Sequence, residues 1–115
     1  MLPLPERVLL ASGVTDLRKS IDGLAALVQE SLGTSPFTPT LFVFCNRGRD
    51  KLKMLYWDHN GFWLFYRRLE RGTFPWPQSS EASISISVRQ LRWLLDGLAL
   101  SQCQAHPSVQ VDVVV

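Results

Sequence analysis

The sequence predicts an α+β fold, in which a small antiparallel β-meander sheet has two helices packed on it, with the element order β-α-β-β-β-β-α. Two segments, one in each half of the chain, have apolar residues at helical spacing. Between them, two aromatic-rich segments flank an Asn-Gly pair, which is a strong hairpin signal. The length of 115 residues favours one domain, which we place at residues 1–100. Residues 101–115 are then a C-terminal tail, either flexible or forming an edge strand.

The first half of the chain predicts strand, helix and strand. RVLLA (7–11) indicates a short strand, and TLFVFC (40–45) is a continuous apolar run typical of a buried one. Between them, Ser20 is a good helix N-cap and Gly33 a natural residue just beyond the helix end. The helix has one apolar face, formed by Ile21, Leu24, Ala25, Val28 and Leu32.

The middle of the chain predicts a β-hairpin, with strands at 51–57 and 62–70 around the loop DHNG (58–61). Because side chains alternate along a strand, the hairpin has two distinct faces. One face carries Lys51, Lys53, Leu55, Trp57, Phe62, Leu64, Tyr66 and Arg68, and is basic at the open end and aromatic near the turn. The other carries Leu52, Met54, Tyr56, Trp63, Phe65, Arg67 and Leu69, and we expect it to form the core.

The last part of the chain predicts a strand followed by a helix. SISISV (83–88) alternates as a strand does, and Ser87 with Gln90 forms a capping box at the start of the helix. The buried side of this helix is formed by Leu91, Leu94, Leu95 and Leu98, and Gly97 ends it. We expect both helices to cover the same face of the sheet.

The sequence lacks the motifs of several functional classes. No apolar run reaches transmembrane length, no signal peptide is recognisable, and Cys45 and Cys103 form neither a CxxC motif nor a metal-ligand cluster. We therefore expect a cytoplasmic protein that needs no cofactor or metal. The carboxylates of Asp16, Asp58 and Glu70 are scattered, and no nucleotide-binding or hydrolase motif is present, so we expect no enzyme activity.

Basic residues are concentrated in the hairpin region. Residues 47–71 contain seven Lys and Arg against three acidic residues, a local net charge of +4, whereas the whole chain has only +2. Such a surface could bind a phosphate backbone, or it could be a solvated edge that charge protects from aggregation. The candidate nucleic-acid-binding residues are Arg18, Lys19, Arg47, Arg49, Lys51, Lys53, Arg67, Arg68 and Arg71.

A second candidate surface is aromatic. In FPWP (74–77), prolines on both sides of Trp76 restrict its backbone, and a rigid exposed tryptophan suits a protein-binding hot spot. The candidate partner-binding residues are Trp57, Phe74 and Trp76. In the alternative interpretation, Phe74 and Trp76 fold back on the sheet as a lid.

The longest motifs resemble a known family. TDLRKSIDGLAALVQESLG, LFVFCNRGRDKLKMLYWDHNGFWLFYRRLERGTFPWP and LRWLLDG are similar to the TnpB accessory proteins of IS66-class bacterial insertion sequences, over roughly residues 2–98. These proteins share only a name with the RNA-guided nuclease TnpB. The matching positions are Asp16, Arg18, Lys19, Asp22, Gly23, Arg47, Asp50, Lys53, Trp57, Asp58, Gly61, Arg68, Leu69, Glu70, Gly72 and Pro77.

The resemblance implies a protein that is encoded beside a transposase and supports transposition, with no catalytic residues of its own. Our hypothesis is therefore a non-catalytic accessory factor that binds DNA at the element's ends, the transposase, or both. One alternative is a pure protein–protein adaptor without DNA contact. Another is a metal-dependent nuclease that uses Asp16, Asp58 or Glu70.

Overall fold

The computed structural model describes residues 5–97, and the α+β fold class is confirmed, with all seven elements in the predicted order. The strands are Arg7–Ala11 (β1), Thr40–Cys45 (β2), Lys51–Asp58 (β3), Gly61–Arg68 (β4) and Ser83–Ile86 (β5). The helices are Ile21–Glu30 (α1) and Val88–Leu95 (α2). The predicted burial of Leu98 and the tail at 101–115 lie outside the described residues.

The five strands form one sheet with the order β4-β3-β2-β1-β5. Strands β2, β3 and β4 form the predicted antiparallel meander. The first strand lies next to the middle of the sheet, parallel to β2 and antiparallel to β5. A parallel pair needs a crossover connection, and here the chain between β1 and β2 contains α1. The sheet is therefore mixed, with one parallel pair.

The two helices lie on opposite faces of the sheet, so the expectation that they share a face is wrong. One core contains Leu24 and Val28 of α1 with Phe42 and Phe44 of β2. The other contains Leu91 and Leu94 of α2, packed with residues that include Val8, Leu10, Val43 and Cys45. Because β1 and β2 are apolar at successive positions, both of their faces must be covered.

The hairpin confirms the predicted alternation. Lys51 pairs with Arg68, Lys53 with Tyr66 and Leu55 with Leu64, so these side chains share a face. The loop consists of His59 and Asn60 alone, and His59 (φ 61°) adopts the left-handed conformation.

The assignment of only one hairpin face to the core is wrong. Leu55, on the face predicted to be mixed, is fully buried beneath α1. Trp63, on the face predicted to be core, is 47% exposed. The reason is that α1 covers one face of the sheet, while β4 is an edge strand that the core covers only in part.

The helix ends follow the sequence signals closely. The capping box of α2 is confirmed, since Gln90 N donates to Ser87 Oγ (3.0 Å) and Ser87 N donates to Gln90 Oε1 (2.9 Å). Ser20 is the N-cap of α1, although its side chain makes no capping hydrogen bond. Gly33 (φ 68°) follows the helix in the left-handed conformation that favours glycine. Within residues 5–97, neither helix has the length and apolar character needed to cross a bilayer.

Candidate nucleic-acid interface

A cleft of about 640 Å³ lies on the α1 side of the hairpin. Lys51 and Lys53 of β3 enter it from one strand, and Leu64 and Tyr66 from β4 beside it. The rest of its lining is Asn46 from the β2–β3 turn and Asp16, Leu17 and Arg18 from the loop before α1. We call this feature the basic cleft. Three of the nine predicted nucleic-acid-binding residues therefore line the same cleft: Arg18, Lys51 and Lys53.

Hydrogen bonds fasten the walls of the basic cleft to the sheet. The loop before α1 is tied at both ends, because Thr15 N donates to the Cys45 carbonyl (2.9 Å) and Lys53 Nζ donates to the Lys19 carbonyl (2.9 Å). In the β2–β3 turn, the side-chain oxygen of Asn46 accepts from the backbone N–H groups of Asp50 and Lys51, both at 3.1 Å. The cationic side chains thus project from anchored backbone segments.

The lining of the basic cleft has a net positive charge, because three cations oppose one carboxylate. The Arg18 guanidinium binds the Asp16 carboxylate through Nε and Nη2, at 3.0 and 2.9 Å to the nearer oxygens. These side-chain hydrogen bonds, with one from the Arg18 backbone N–H, lower the pKa of Asp16 to about 2, so this carboxylate is ionised at neutral pH. Lys51 Nζ lies 3.5 Å from Asp50, and Lys53 has no carboxylate partner within residues 5–97.

The other six predicted basic residues do not line the basic cleft. Arg68 lies on the same face of the hairpin as the basic cleft, directly across from Lys51, and its guanidinium is 3.0 Å from the Glu70 carboxylate. Lys19 contributes its backbone carbonyl, which accepts the hydrogen bond from Lys53. Arg67 lies on the opposite face, paired with Leu52, because neighbouring residues of a strand point in opposite directions. The exposed residues Arg47 and Arg49 are in the β2–β3 turn, and Arg71 follows β4. Arg67 and Arg68 therefore do not share one surface, and the nine predicted residues do not form a single basic site.

Phe74 and Trp76 are core residues, so the expectation that they are exposed to a partner is wrong. Phe74 is fully buried and Trp76 is 8% exposed, and both pack in the core beneath α2. The Trp76 indole Nε1 donates to the Ala11 carbonyl of β1 (3.3 Å), and Phe74 N donates to the Arg49 carbonyl (2.7 Å). The structure has the alternative arrangement, in which this segment folds back on the sheet as a lid.

Trp57, the third partner-binding candidate, belongs to an aromatic cluster near the hairpin turn. Its ring centroid lies 5.0 Å from those of Phe37 and Phe62, with edge-to-face geometry in both pairs. Phe37, from the loop before β2, is 54% exposed. Phe37 was not among the predicted site residues, since its loop has no periodicity that would have placed it beside the hairpin.

Tyr66 was also absent from the predicted site residues, although alternation placed it on the same face as Lys51 and Lys53. Tyr66 lines the basic cleft and is 54% exposed. The sequence signal that could have identified Tyr66 was its predicted pairing with Lys53 across the hairpin, which places an aromatic ring beside a cation. Asn46 gave a weaker signal, because only the structure shows how it organises the turn before Lys51.

The side chains considered for catalysis are held in structural contacts. The carboxylate of Asp58 accepts from the Trp63 indole (3.1 Å), Glu70 pairs with Arg68, and Asp16 pairs with Arg18. Residues 5–97 contain no group of three or more His, Cys, Asp or Glu able to hold a metal ion. Burial raises the pKa of the Cys45 thiol to about 11, so it is neutral at physiological pH. A metal-dependent nuclease centre receives no support from this part of the chain.

The chain is similar to one described family and to two proteins of Sinorhizobium fredii. The model of a family described as IS66 Orf2-like protein matches residues 6–105. The uncharacterized protein y4hO of Sinorhizobium fredii is 43% identical over 100 residues, covering 85% of this chain and 87% of that protein. The uncharacterized protein y4jC of the same organism is 31% identical over 101 residues, covering 88% and 86%. No solved structure matches the chain.

Proposed function

Because the chain belongs to the IS66 Orf2-like family, we propose that it is a non-catalytic accessory protein of transposition that binds DNA through its basic cleft. In this proposal it acts with the transposase of the same element, at the element's ends. The observation that carries the proposal is the convergence of Arg18, Lys51 and Lys53 in the lining of one cleft.

The charges of the basic cleft suit phosphate groups. Among the described residues, Lys53 Nζ makes a single hydrogen bond, to a neutral carbonyl, so this ammonium keeps donors for an anion. Arg18 is already paired with Asp16, but the Arg18 side chain is 91% exposed, so part of its guanidinium is open to solvent. Binding of phosphates by such cations releases counterions from DNA, which makes affinity strongly dependent on salt.

A titration of the purified protein with DNA tests the proposal. We expect labelled duplex from the element's ends to bind, with a plot of log affinity against log salt whose slope is about −2 to −3 for three phosphate contacts. A scrambled duplex of equal length separates backbone binding from preference for the end sequence. Absence of binding at about 50 mM salt would contradict the proposal and leave the basic cleft as a solvated surface.

The aromatic cluster near the hairpin turn supports a second candidate function, an adaptor that contacts the transposase without DNA. Phe37 is more than half exposed yet packs against Trp57 and Phe62. A supported, exposed aromatic ring is suited to anchor a protein interface, because little side-chain freedom is lost on binding.

Replacing Phe37 by alanine tests the adaptor. If the ring is a hot spot, we expect the dissociation constant for the purified transposase to rise by about 30-fold, which corresponds to a contact worth about 2 kcal/mol. Val14→Ala is the matched control, because Val14 is equally exposed, at 54%, but lies outside the cluster. Equal affinities for the Phe37 and Val14 variants, measured by calorimetry, would rule out the cluster as the docking site.

A further inference from the structure

We propose that the basic cleft binds unpaired DNA, with one base stacked on the ring of Tyr66 and the neighbouring phosphates held by Lys51 and Lys53. This inference rests on the proposed function and specifies its preferred ligand, a strand with unstacked bases, over an intact duplex.

The lining of the basic cleft is only partly suited to phosphate. Leu17, Leu64 and Tyr66 contribute apolar or aromatic surface beside the three cations. A nucleotide likewise combines a charged part and an apolar part, since its phosphate is charged while its base presents a flat aromatic face. Proteins that bind single strands combine basic grooves with aromatic side chains in this way. The cleft volume of about 640 Å³ lies within the range of roughly 300–1,000 Å³ found for small-ligand sites.

Tyr66 is positioned for stacking next to a cation. It lies directly across from Lys53 in the hairpin, and the Lys53 Nζ is 6.0 Å from the centre of its ring. The ring is 54% exposed, although Leu55, on the same face of the hairpin, is fully buried. Since Lys53 Nζ is also bonded to the Lys19 carbonyl, the cation is held over one face of the ring, and a base would stack on the other. A base on Tyr66 would therefore have its phosphate within reach of an anchored ammonium.

An intact duplex cannot use this ring in the same way. In duplex DNA the faces of the bases are stacked on one another, and contact with an aromatic face requires a base to leave the stack. Phosphate contacts alone would involve Lys51, Lys53 and Arg18 but would not use the exposed surface of Tyr66. The exposed ring among cations therefore favours single strands, frayed ends or flipped bases.

The test measures binding to a labelled single strand and to its duplex by fluorescence anisotropy, at two salt concentrations. We expect the unaltered protein to prefer the single strand, and Tyr66→Ala to weaken single-strand binding by about 5- to 150-fold, the usual effect of losing one stacked base. Duplex affinity and the salt slope should change little. Tyr66→Phe, which keeps the aromatic face, should retain single-strand affinity.

Trp63→Ala is the matched control, because Trp63 is similarly exposed, at 47%, on the other face of the same strand. We expect this variant to bind both DNAs as the unaltered protein does. Single-strand binding unaffected by Tyr66→Ala, with duplex binding intact, would overturn the stacking inference while leaving the proposed function in place. Absence of binding to either DNA at low salt would overturn both.

Discussion

Replacing Trp76 by alanine should lower the free energy of unfolding by about 3–5 kcal/mol, the usual cost of truncating a buried aromatic side chain. The indole is 8% exposed, packs in the core beneath α2, and donates to the Ala11 carbonyl in β1. The substitution would leave a cavity and remove the hydrogen-bond donor of a buried carbonyl. Urea unfolding of the two proteins, followed by circular dichroism, measures the difference.

The control for this change is Trp63→Ala, which removes the same side chain from an exposed position. We expect this variant to lose about 1 kcal/mol or less, because Trp63 is nearly half exposed and belongs to neither buried core cluster. A Trp76 variant as stable as the Trp63 variant would contradict the core role of Trp76. If Trp76→Ala does not fold, Trp76→Phe keeps most of the volume, and we expect it to fold with an intermediate loss.

Replacing Arg18, Lys51 and Lys53 together by glutamine should weaken duplex DNA binding by on the order of 100-fold near 0.1 M salt. The magnitude of the salt slope should fall by about 2.7, since each lost phosphate contact contributes about 0.9. The Arg18 change also frees Asp16, which is ionised at neutral pH and would repel phosphate. Anisotropy titrations across a salt series give both quantities.

The matched control replaces Arg47, Arg67 and Arg71 by glutamine, which removes the same charge from exposed residues outside the basic cleft. We expect this variant to lose much less affinity and to keep most of the salt slope. Equal losses in the two triple variants would mean that binding follows overall charge rather than a site, and would contradict the proposed function.

Features that depend on neighbouring residues were predictable from the sequence. The hairpin register follows from a short loop and from alternation, and the α2 capping box follows from Ser87 and Gln90 alone. The strand order was not predictable in the same way. No local pattern indicates that β1 pairs with both β2 and β5, because those pairings join distant parts of the chain.

The same distinction applies to the candidate site. Alternation placed Lys51, Lys53 and Tyr66 on one face and Arg67 on the face opposite Arg68, as the structure has them. The loop that carries Arg18 reaches the basic cleft through backbone and lysine hydrogen bonds that no sequence motif indicates. Trp76 was misjudged because its flanking prolines describe only the local backbone, whereas its hydrogen-bond partner Ala11 is 65 residues away.

The position of β1 beside the middle of the sheet determines when the domain can be completed during translation. Strand β1 is synthesised before strands β2 to β5. It can pair with β2 once the meander has formed, but its other edge stays unpaired until β5 has been synthesised. Until then, Val8 and Leu10 also lack the cover of α2, which is synthesised later still. The nascent chain therefore presents an open strand edge and an apolar sheet face, both of which favour association with other chains. Only the synthesis of β5 and α2 closes them.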